Sequence, residues 1–152
     1  MNDIDEIFAV APNSWIESLN TYQKSVISQL YAQTNDYEVV AKEWLTAVIP
    51  TNVPFGTQKN PSIFFVKVLD EIEAFFTGDE RYKDSRLAIL KESGGVQSYV
   101  VGSISAALAP VLGTSAVFLA PVIAIVLLII GRIGLNAWIA TRREKRENKL
   151  EG

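Results

Sequence analysis

The chain has 152 residues, no cysteine, no histidine and a formal charge of −3. Such a length holds one domain, or a small domain with an appendage. The missing residue types exclude disulfides and thiol chemistry and remove the commonest general base and metal ligand.

The lead, MNDIDEIFAVAPNSW, is acidic and its apolar run spans only residues 7–11. It does not read as a signal peptide, so the body is expected to stay in the cytosol. Ser14 and Glu17 have capping-box spacing and open a first helix reaching about Gln33. Trp15, Ile16, Leu19, Tyr22, Val26, Ile27 and Leu30 recur at helical spacing and form its apolar stripe. Asn35 is the expected cap of a second helix with Val39, Val40, Trp44, Leu45 and Val48 inward, stopped by Pro50. Pro, Gly and Asn make residues 51–59 a loop.

Pro61 stands at the first position of a third helix, where its missing N–H is harmless. This helix carries Phe64, Phe65, Val68, Leu69, Ile72, Phe75 and Phe76, all expected in the core, and ends at Gly78. Asp70, Glu71 and Glu73 read as a solvated face. A fourth helix spans residues 79–91, with Tyr82, Leu87, Ile89 and Leu90 as its buried candidates. The first and third helices, having the widest apolar stripes, are expected to pack on each other. Ser93, Gly94 and Gly95 form a C-cap and joint.

No Asp, Glu, Lys or Arg interrupts residues 93–131. This is about twice the ~18 apolar residues that mark a membrane-span candidate. Gly113, Thr114 and Ser115 near the middle predict a turn, hence a helical hairpin. Ser98, Gly102, Ala106, Ala109 and Gly113 share one side of its first half, and Ala116, Ala120, Ala124, Gly131 and Gly134 one side of its second. Small side chains let helices approach closely in lipid, so these positions are the candidate membrane and helix contacts. Arg132, Trp138, Arg142, Arg143, Lys145 and Arg146 follow, the expected membrane-interface set.

The fold class read from this is all-α: a cytosolic helical domain of about four amphipathic helices over 1–92, an apolar hairpin over 93–141 and a charged tail over 142–152. Residues 1–92 carry a net −6 and residues 132–152 a net +3. An acidic body with a basic end does not suit nucleic acid. The expected partners are a lipid membrane, further copies of the chain, and a protein that meets the acidic domain. Positive residues favour the cytoplasmic side, which places the hairpin in the inner membrane with both termini in the cytoplasm. No GxSxG turn, phosphate loop or GxGxxG is present, so no catalytic residue, cofactor or metal is assigned, and an enzyme is not expected. The expected function is a membrane effector whose hairpin inserts, oligomerises and permeabilises, as toxins and self-killing defence proteins do. The alternatives are a passive anchor, or a cytoplasmic, soluble helical module that dimerises through residues 96–140. A further soluble reading buries the central hairpin among the four amphipathic helices, the way channel-forming toxins store theirs before insertion.

Overall fold

A computed structural model describes residues 4–48, 61–91 and 96–151. Every regular element among them is a helix: α1 (Ser14–Glu17), α2 (Thr21–Thr34), α3 (Tyr37–Val48), α4 (Pro61–Thr77), α5 (Lys83–Lys91), α6 (Gln97–Leu112), α7 (Ala116–Ile133) and α8 (Leu135–Glu151), with 3-10 turns at Ile4–Phe8 and Glu80–Tyr82. The expected stop at Pro50, the loop at 51–59 and the joint at 93–95 lie outside the described residues.

The first expected helix is two. α1 is a single turn that ends at Ser18, and Asn20 takes an extended conformation to cap α2, its side-chain oxygen accepting from the Gln23 N–H at 2.8 Å. Ser14 caps nothing; its hydroxyl donates to the Ala11 carbonyl at 2.6 Å. The break resets the helical register. Tyr22, expected inside, is 70% exposed, while Gln23 is buried. The second cap moves by one residue for a similar reason. Asn35 adopts the left-handed conformation (φ 54°) that closes α2, a state Asn tolerates better than most residues. Asp36 then caps α3, accepting from the Glu38 N–H at 2.9 Å.

α4 begins at Pro61 as expected, and its phenylalanines Phe64, Phe65, Phe75 and Phe76 are all buried. Gly78 closes it at φ 102°, where a side chain would be strained. Asp79 caps the following 3-10 turn through the Arg81 N–H. Of the fourth helix's inward candidates, Tyr82 and Ile89 are buried, but Leu87 and Leu90 face out. The expected pairing of first and third helices gives way to another arrangement. α1 packs on α7, α2 packs on α3, and α3 packs on α7 and α4.

The hairpin turn falls where the sequence puts it. Gly113 ends α6 in the left-handed region (φ 72°), and the Thr114 N–H reaches back to the Ala109 carbonyl. Ser115 caps α7, accepting from the Phe118 N–H at 3.1 Å. α6 and α7 form the most extensive helix pair in the molecule. Around α7 stand α1, α3, α6 and the start of α8, which makes it the centre of the body.

Candidate functional site: the enclosed apolar helix

α7 reads AVFLAPVIAIVLLIIGRI, with no charge before Arg132. Its 18 residues span about 27 Å at 1.5 Å per residue, close to the ~30 Å of a bilayer's hydrocarbon core. Among the described residues it is the one helix long and apolar enough to cross a membrane; α6 is apolar but shorter. An amphipathic core helix exposes one face. Over its middle α7 exposes none: every residue from Pro121 through Leu128 is buried, as in the central helix of a soluble body, while Val117 and Ile133 near its ends are exposed. The sheath that covers it has three polar fastenings.

The first is at Pro121. A proline inside a helix lacks the N–H that would bond the carbonyl four residues back. Val117 is left with that free carbonyl, and the Gln23 side-chain amide donates to it at 3.1 Å. One residue on, the Trp44 indole N–H donates to the Phe118 carbonyl at 3.0 Å. Thus α2 and α3 each spend a buried polar side chain on the backbone of α7. The second fastening is at the other end. Arg132 lies over the Tyr37 ring, 5.3 Å from its centroid, and Tyr37 stacks on Tyr31 at 4.1 Å. α3 therefore runs antiparallel to α7, with Trp44 beside the start of α7 and Tyr37 beside its end. Gly131 sits beside Pro12, which a β-carbon there would touch at 3.7 Å.

The third fastening lies beyond Gly134, which separates α7 from α8 at φ 95°. Trp138 is buried, with Leu135 and Ile139 packed against the core. Arg142 then donates through Nε to Glu73 at 2.9 Å and also bonds Asp70. Arg146 forks onto both oxygens of Glu73 at 2.9 Å each. The Arg146 guanidinium holds the Glu73 carboxyl below its usual range, against the upward push of burial, and Arg142 adds to the effect. Glu71 accepts instead from Tyr82 and pairs with Arg81 at 3.1 Å. Burial, then the bond to Glu71, push the Tyr82 phenol well above its ordinary value. The three carboxylates expected as a solvated face are thus tied into the body, and Glu73 is buried.

The small residues singled out in the sequence do not meet on one seam within the chain. Gly102 and Ala106 face outward on α6, and a β-carbon built on Gly102 would find nothing within 4 Å. Ala109 and Ala124 are buried, Ala116 and Ala120 partly so, and Gly113 and Gly134 are helix caps. The interface set also divides. Trp138 and Arg142 turn into the body, Arg146 reaches Glu73 from a half-exposed position, Arg132 lies on Tyr37, and Arg143 and Lys145 are exposed. Gln23 and Trp44 escaped sequence reasoning as partners of α7. The signal available was Pro121, whose missing N–H leaves the Val117 carbonyl without its helix partner. No group of three or more acidic side chains is placed to hold a metal among the described residues. No protein-family model, curated protein or solved structure matches this chain.

Proposed function

We propose that this protein is a membrane effector that stores its apolar helix inside a helical body and delivers it to a lipid bilayer. The observation that carries the reading is α7 itself: long and apolar enough to span a bilayer, yet covered on every side from Pro121 through Leu128. A side chain in a helix gains from burial in protein or in lipid alike, because both remove it from water. The choice between the two rests on the sheath, whose fastenings at Val117, Arg132 and Glu73 are polar and so respond to solvent and charge.

In this proposal the sheath opens, α6 and α7 enter the inner membrane as a hairpin, and the outward small residues Gly102 and Ala106 then meet other copies of the chain. Self-association permeabilises the membrane. No catalysis is assigned. The competing reading, a cytoplasmic helical module that dimerises through residues 96–140, draws on the outward face of α6, where Tyr99 and Val111 are exposed.

Fractionation with an alkaline wash and dye release from lipid vesicles test the proposal together. The expected result is protein retained in the washed membrane pellet and leakage that rises with protein concentration. Recovery wholly in the supernatant, with vesicles left intact, overturns it in favour of the soluble module. Retention without leakage supports a passive anchor.

A further inference from the structure

α8 is attached to the body unevenly. Its first turn is packed through Leu135, Trp138 and Ile139. From Ala140 to Asn148 every described side chain is exposed except Arg142. Over that length the ties to the body are ionic: Arg142 and Arg146, one helical turn apart, close on Asp70 and Glu73 of α4. We propose that α8 is a strap whose two arginines serve exclusive anionic partners: Asp70 and Glu73 in the closed body, and the phosphate headgroups of an anionic membrane surface, whose approach unlocks the strap from α4.

The chemistry of the guanidinium allows the exchange. Its planar fork fits a carboxylate and a phosphate equally well. Arg146 is half exposed, as is Asp70, so a second anion can reach the cluster before the first contact is lost. Arg143 and Lys145 are exposed nearby and attract an anionic surface without belonging to the lock. Leu135, Trp138 and Ile139 keep the first turn of α8 on the core, so the part released is the exposed segment beyond Ala140. Exclusivity follows from Glu73. It is buried, and a buried carboxylate stripped of both arginines is costly, so the closed strap resists opening until the arginines have another anion to hold. The membrane partner rests on the function proposed above; the strap and its release are measured without any leakage.

The chain's lack of cysteine makes the test direct. Lys67→Cys on α4 and Glu144→Cys on α8, both at exposed positions, carry a fluorescent donor and acceptor in the full chain. Energy transfer should be high in buffer and fall with vesicles of mixed phosphatidylglycerol and phosphatidylcholine. It should stay high with phosphatidylcholine alone and with inorganic phosphate at matched ionic strength. Glu73→Gln frees the arginines, so it should lower transfer in buffer and tighten binding to the anionic vesicles roughly tenfold, the equivalent of ~1.4 kcal/mol. Arg142→Gln with Arg146→Gln should also lower transfer but weaken that binding. If Glu73→Gln does not fold, the exposed partner Asp70→Asn should shift both readings in the same direction by less. Transfer unchanged by anionic vesicles, or vesicle affinity unchanged in the folded Glu73 or Asp70 variant, overturns the strap. Equal opening by inorganic phosphate overturns the membrane as its partner. Leakage with the strap still closed removes the strap and spares the membrane effector. Opening without leakage supports the strap and removes the permeabilising function.

Discussion

Replacing Gln23 by Leu should expose how α7 is held at Pro121. The substitution keeps the side chain's bulk and apolar contacts but deletes the donor to the Val117 carbonyl, which no backbone N–H can replace because residue 121 is proline. An unsatisfied polar group costs about 1–3 kcal/mol. The Val117 side chain is 71% exposed, so water reaches the neighbourhood and the lower end applies. A loss of about 1 kcal/mol is expected, read from the midpoint of urea unfolding followed by circular dichroism. Pro121→Ala supplies the informative partner. The alanine brings an N–H that can close the helix bond to Val117, so Gln23→Leu in that background should be close to neutral. The coupling between the two sites is then roughly 1 kcal/mol, above the ~0.3–0.5 kcal/mol within which independent sites add. Strict additivity would refute the reasoning, because it would mean that Gln23 stabilises by packing and not by serving the carbonyl that proline frees.

Ile123→Ala, in the fully buried stretch of α7, should destabilise the soluble protein by ~2–5 kcal/mol, whereas Val117→Ala on the same helix should stay within about half a kcal/mol in the same urea series. Gly102→Leu should leave the soluble fold as stable as the native chain or slightly more so, because the site is open and leucine favours helix over glycine; if the outward face of α6 is the contact between membrane-inserted copies, the same change should reduce cross-linked oligomers in vesicles. Glu73 carries a pH signature. Its folded carboxyl titrates below the ordinary value of 4.5, so its stabilisation is present above that pH and is lost as pH falls through the depressed folded value. Thermal melts of the native chain should therefore decline more steeply below about pH 4.5 than those of Glu73→Gln, and parallel profiles for the two would contradict the arginine pairing.

Helical periodicity, the start of α4 at Pro61 and the turn at Gly113 were all legible in the sequence, because each is decided by residues within a few positions of itself. What escaped depended on residues far apart. The stripe from Trp15 to Leu30 is continuous on paper, but Asn20 offers a cap in its midst and the chain takes it, shifting the register enough to bury Gln23 in place of Tyr22. Asn35 and Asp36 both cap well; the deciding difference was which one could also take the left-handed turn that ends α2. The arginines of α8 and the carboxylates of α4 were visible as two charged faces, each at helical spacing, with nothing local to say that they meet. The candidate site was half legible. Hydropathy shows that α7 avoids water, and it is silent on whether protein or lipid takes the water's place.

The central position of α7 also sets the order in which the protein can come together. Two of the helices that cover it, α1 and α3, precede the α6–α7 hairpin in the chain, as does the body of α4 and α5, while α8 follows it. At about 5–20 residues per second, synthesis from Lys91 to Ile133 takes roughly 2–8 s. During that interval the earlier helices are complete, their inward faces Trp15, Ile27, Val40 and Leu45 are made, and the segment that will fill the space between them is still to come. A nascent chain in that state has part of its shell and no centre. Its unfilled inward faces are apolar and exposed to water until α6 and α7 arrive.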